Sequence, residues 1–148
     1  MSIALGTDIR VLSDQARMVP IFIKRGLMPD MGGNYLLTKA VGPQKALELI
    51  FAGEPIMPDQ ALELGLVAHV VPHDELMSVA KGMARKFSEG PSIAIAMSKR
   101  AVYRAESSTL EQDLEFGTYQ QERLMTTDDF KEGYRSFLEK RTPGFKGS

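Results

Sequence analysis

The chain has 148 residues, 43% of them hydrophobic, enough for one ordinary domain whose core needs no covalent staples. It has no cysteine and only two histidines, His69 and His73, which excludes disulfides and thiolate metal sites and argues against zinc. A net charge of −1, from 18 basic and 19 acidic residues, gives no sign of a nucleic-acid binder, no apolar stretch is long enough to span a membrane, and the segment from Met1 to Asp8 is not a secretory signal. A cytoplasmic protein without a bound metal is the expectation.

In chain order, the β-branched alternation of Asp8–Ser13 predicts a strand, and Val19–Lys24 a second extended segment that Pro20 keeps out of a sheet centre. Arg25 to Leu37 follows, a run in which Pro29 and the pair Gly32-Gly33 place one acid, Asp30, in a turn before a helix. Pro43–Ala52 reads as a helix with proline in its first turn and Gly53 at its end, Pro58–Leu64 as a short helix stopped at Gly65, and Leu66–Val71 as a strand closed by Pro72.

From residue 73 onward the texture changes to amphipathic helix. Leu76, Val79, Ala80, Met83, Ala84 and Phe87 recur on one face, and Gly90-Pro91 breaks that helix before the next, marked by Ile93, Met97 and Ala101. Ser107-Ser108 caps a third helix and Thr126-Thr127 introduces a last one striped by Phe130, Tyr134, Phe137 and Leu138. Two regions follow, 1–72 and 73–148, in an α/β class that is mostly helical. The last two helices carry Phe116, Tyr119, Phe130, Tyr134 and Phe137, which either pack within the chain or meet a second subunit.

Five motifs in order carry a family resemblance. They are Asp8-Ile9-Arg10; Arg25-Gly26-Leu27-x-Pro29-Asp30-x-Gly32-Gly33; Val41-Gly42-x-x-Lys45-Ala46-x-Glu48; Gly53-x-x-Ile56; and Ala61-x-x-x-Gly65-Leu66-Val67. Together with Gly133-Tyr134-x-x-Phe137-x-Glu139-Lys140-Arg141-x-Pro143-x-Phe145 they resemble the crotonase family, the enoyl-CoA hydratases and isomerases, over essentially the whole chain. The resemblance implies the end of a ββα-spiral core followed by a C-terminal helical oligomerisation region. It also implies that a family N-terminal half precedes the aligned residues, so that the isolated chain lacks the family's two oxyanion-hole amides and is inactive alone.

The resemblance further implies an acyl-CoA thioester as substrate, coenzyme A entering only as part of it, and a homo-oligomer, trimer or hexamer, when complete. Family hydratases use two glutamates; the aligned positions here are Ser2 and Phe22, neither of which can activate water or deliver a proton. Asp30 is the one family-matched acid and is the candidate catalytic residue, a proton shuttle for an enoyl-CoA isomerase. Phe22 and Leu27, with Met28 and Met31, would give it an apolar setting that raises its basicity. Read without the family, the local pattern around Asp30 favours a helix N-cap. Phe137 and Lys140 match positions that reach the adenosine end of CoA. The alternatives are packing for Phe137 and a solvated position in the run Glu139-Lys140-Arg141 for Lys140. Basic Lys99, Arg100 and Arg104 read as a solvated helix face, and His69 and His73 as core or cap residues. The competing functional expectation is a non-catalytic crotonase-like protein acting through helical oligomerisation.

Overall fold

A computed structural model describes residues 1–148. The chain forms two compact units, Met1–Ala80 and Lys81–Ser148. The first begins with a single helical turn, α1 (Ser2–Leu5), and holds the only sheet, two parallel strands, β1 (Val11–Ser13) and β2 (His69–Val71), paired with Val11 opposite His69 and Ser13 opposite Val71. Both strands are shorter than the apolar patterns predict. Asp8 to Arg10 lie outside β1, although the Arg10 carbonyl still accepts from the Ala68 N–H at 2.8 Å; the Arg10 guanidinium closes the end of α1, donating to the carbonyls of Leu5 at 3.1 Å and Thr7 at 2.7 Å. It also donates to that of Leu66 at 2.5 Å, just upstream of β2. Leu66 and Val67 are buried as core residues instead of extending β2.

The segment expected to be extended, Val19–Lys24, is instead a 3-10 turn over Ile21–Arg25. Pro20 has no N–H to offer a partner strand, and the turn closes on Gly26, whose N–H donates to the Ile23 carbonyl at 3.1 Å. What pairing this stretch has comes earlier, in an antiparallel bridge between Met18 and Ile56.

Helix α2 (Gly33–Ala52) contains a break at Gly42, whose φ of 76° and ψ of 163° no L side chain adopts comfortably. Pro43 restarts the helix, as proline in a first turn does, and Gly53 closes it. Helix α3 (Pro58–Glu63) follows. The core of this unit centres on Leu37, Ile56, Ala61 and Leu66, all at most 1% exposed, with Leu5, Met18 and Leu49 around them. α1 packs on α2, and α3 on β2.

The remaining helices are α4 (Leu76–Ser88), α5 (Ser92–Ala105), α6 (Leu110–Met125) and α7 (Asp128–Glu139). Thr109, not the preceding serine pair, caps α6 in a reciprocal box: its hydroxyl accepts from the Gln112 N–H while the Gln112 side chain accepts from the Thr109 N–H. Thr127 caps α7 through the Phe130 N–H. In the second unit α5 packs on α6 and α6 on α7, and its buried side chains are polar: Gln120, Asp129 and Ser136. Asp129 is satisfied by the backbone N–H groups of Lys146 and Gly147, which ties the last residues to the start of α7. No helix is long and apolar enough to cross a membrane.

Candidate functional site

The turn carrying Asp30 is held from both sides. Pro29 is buried, and its carbonyl accepts a hydrogen bond from the Asn34 side-chain amide at 3.0 Å. The Asp30 carbonyl accepts from the Gly33 N–H at 2.8 Å. Between them the chain passes through two consecutive left-handed residues, Met31 at φ 49° and Gly32 at φ 75°. A methionine in that region is uncommon and carries a small strain, which the surrounding structure must impose.

Asp30 is exposed and its side chain caps no helix: the N-cap of α2 is Gly32, with no side-chain cap bond. The side chain of Asp30 is therefore not the cap of α2; glycine, at Gly32, holds that position after left-handed Met31. The carboxylate is left facing outward beside apolar side chains that are themselves open, Leu27 at 58%, Met28 at 75% and Met31 at 66% exposure. Phe22 is half-buried in the 3-10 turn, and its carbonyl accepts from the Leu27 N–H at 3.1 Å, so Phe22, Leu27 and Asp30 share one continuous loop.

Ser2 is buried on α1 against the start of α2. A Cβ at Gly33 would lie 2.5 Å from the Ser2 hydroxyl and 3.0 Å from Pro29, so only glycine admits this approach. The pair of glycines in the sequence signalled a close contact of this kind but not its partner. The Asn34 bond and the left-handed Met31 carried no signal of their own in the sequence.

Phe137 and Lys140 lie in the second unit. Phe137, 79% exposed, lines an apolar cavity of about 400 Å³ with Ile93, Leu124, Phe130, Tyr134 and Phe145. Lys140 sits in left-handed conformation, φ 54°, at the end of α7 and is exposed. Its neighbour Arg141 is committed elsewhere: the guanidinium bonds Glu132 through two nitrogens and Glu139 through a third. That bond, joined by the Gly144 N–H, holds the Glu132 carboxyl down at about 2. Met31 and Lys140 are the two non-glycine residues with positive φ, and each adjoins or is a candidate site residue.

His69 is exposed on β2, while His73 Nδ1 lies 3.1 Å from the hydroxyl of buried Ser13. Arg100 and Arg104 both lie over the Phe116 ring, at 5.7 and 4.6 Å. No three His, Asp or Glu side chains converge where they could hold a metal ion.

Residues 1–148 match the sequence model of the enoyl-CoA hydratase/isomerase family. The chain is 34% identical over 146 residues to the 1,2-epoxyphenylacetyl-CoA isomerase of Escherichia coli K12, covering 99% of this chain and 56% of that protein. It is 36% identical over 145 residues to the short-chain-enoyl-CoA hydratase of Clostridium acetobutylicum, covering 97% and 56%. It is 32% identical over 146 residues to the trans-2-decenoyl-[acyl-carrier-protein] isomerase of Streptococcus mutans, covering 99% and 56%. Among solved structures it superimposes on an enoyl-CoA hydratase of Polaromonas sp. JS666 with a TM-score of 0.93 at 32% identity, covering 98% of this chain and 56% of that one. The Bacillus anthracis enoyl-CoA hydratase gives 0.92 at 32% identity, covering 97% and 56%. The chain thus spans little more than half the length of the relatives it matches. With its fold shared and its whole length matched, the chain belongs to the crotonase, or enoyl-CoA hydratase/isomerase, family.

Proposed function

We propose that this chain supplies the proton-transferring acid of an enoyl-CoA isomerase, and that the acid is Asp30. The observation that carries the reading is a carboxylate presented without a side-chain partner on a turn fixed from both sides, with Ser2 and Phe22 offering no second acid. Moving a double bond needs one base: it takes a proton from one carbon of the acyl chain, the electron pair shifts toward the thioester, and the same proton returns to a carbon further along. No net proton or water is consumed, so one carboxylate suffices. A hydratase would need groups to activate water and to protonate carbon, which Phe22 and Ser2 cannot provide.

An acyl chain seated over Leu27, Met28 and Met31 would shield the Asp30 carboxylate from water during the proton transfer. The substrate is an acyl-CoA thioester, with coenzyme A present only as its carrier, and no separate cofactor is required. The isomerases of Escherichia coli and Streptococcus mutans among the relatives support this choice within the family. The compartment we assign is the cytoplasm. Phe137 and Lys140 are assigned to the nucleotide end of CoA, Lys140 because Arg141 is already paired and Lys140 is not.

The test is Asp30→Asn in the protein at its natural length. Isomerisation should disappear while binding of the CoA ester, followed by calorimetry, persists; an unchanged rate would remove Asp30 from the chemistry. A second reading, helical association without catalysis, is supported by exposed Tyr119, Tyr134 and Leu138 on α6 and α7. It predicts self-association in size-exclusion chromatography with no CoA-ester binding.

A further inference from the structure

We propose that Asn34 is a positioning residue for Asp30, an inference that rests on the reading of Asp30 as the proton-transferring acid. The direction in which a side chain leaves the backbone is fixed by the two peptide planes on either side of its α carbon. For Asp30 both planes are anchored. The plane before it carries the Pro29 carbonyl, which accepts from the Asn34 amide at 3.0 Å. The plane after it carries the Asp30 carbonyl, which accepts from the Gly33 N–H at 2.8 Å. One anchor is backbone and is built into any chain that turns here. The other is a side chain and is a choice of sequence.

The bond does not serve the helix. Asn34 is the second residue of α2, where the unsatisfied groups are N–H donors; a capping side chain would accept from them. The Asn34 amide instead donates, backward across the turn, to a carbonyl that precedes the helix. It spans the strained segment, reaching past left-handed Met31 and Gly32, and so opposes relaxation of that strain into a turn that would re-aim Asp30. A base that must take a proton from one carbon and return it to another tolerates little displacement, since an error near 1 Å costs on the order of a hundredfold in rate.

The experiment compares Asn34→Ala, Asn34→Leu and Asn34→Gln with Asp30→Asn in the protein at its natural length, reading kcat, KM for a CoA ester and the thermal midpoint. Asn34→Ala should lower kcat by about ten- to a hundredfold and leave KM within about twofold. Asn34→Leu, of similar size but without a donor, should repeat that split if the alanine variant does not fold. Asn34→Gln, which keeps an amide donor, should recover part of the lost kcat. The proposal is overturned if kcat is unchanged in a background where Asp30→Asn is inactive, or if kcat, KM and midpoint decline together as a general loss of structure would make them. If Asp30→Asn itself keeps its rate, the reading of Asp30 has failed and the positioning role fails with it, a result separate from the other two.

Discussion

The Ser2 hydroxyl occupies the place where a side chain at Gly33 would begin: a Cβ there would lie 2.5 Å from Ser2 Oγ. This contact brings α1 onto the start of α2, next to the Asp30 turn. Gly33→Ala must push α1 away or distort the turn, and overpacking of this kind costs about 1–3 kcal/mol. Urea denaturation should show the midpoint fall. Ser2→Gly in the same chain should restore part of it, because the two positions share one space and their effects cannot simply add.

Leu37 is completely buried on α2, against the core formed with Ile56 and Leu66. Leu37→Ala leaves a cavity there and should cost about 2–5 kcal/mol, read from the same denaturation experiment. An exposed apolar residue of the same helix, Phe51, should give a much smaller loss on the same truncation.

Glu132 links pH to the docking of the C-terminal segment. Its carboxyl lies at about 2 rather than the ordinary 4.5, first because Arg141 hydrogen-bonds it and then because the Gly144 N–H does. A lowered acid contributes its stabilisation fully above the unfolded value and loses it as pH falls through the folded one. The Gly144 amide should therefore stay protected from exchange down to about pH 4.5 and lose protection between there and about 2. Glu132→Gln should remove that dependence.

Lys140 and Arg141 are adjacent cations with different predicted roles. Lys140→Ala should weaken CoA-ester binding by about two- to fivefold at low salt and less at high salt, the size of an exposed ion contact. Arg141→Ala should instead release Glu132 and loosen the C-terminal segment, with a smaller effect on binding. Calorimetric titration at two ionic strengths separates the two.

The helical elements were readable because their apolar period is long and their boundaries carry Pro, Gly and Thr, as at Pro43, Gly53 and Thr127. The Asp30 turn was readable for the same reason. The Ile21–Arg25 segment was not, since a short β-branched run fits a 3-10 turn as well as a strand until its partners are known. Nor was the fixing of Asp30: it depends on Asn34 reaching Pro29 across a left-handed methionine, a geometry that no residue type announces.

The parallel pairing of β1 with β2, and the Arg10 bond to the Leu66 carbonyl 56 positions away, enclose the whole Asp30 turn in one long loop. Closing such a loop carries its entropic cost before any strand contact rewards it, whereas helices form from near neighbours. During refolding, amides of α5 to α7 should gain exchange protection early and those of β1 and β2 late. The Asp30 turn lies inside that loop, but its two fixing bonds reach only three and five residues along the chain, so it should gain protection with α2, ahead of the strand pairing that encloses it.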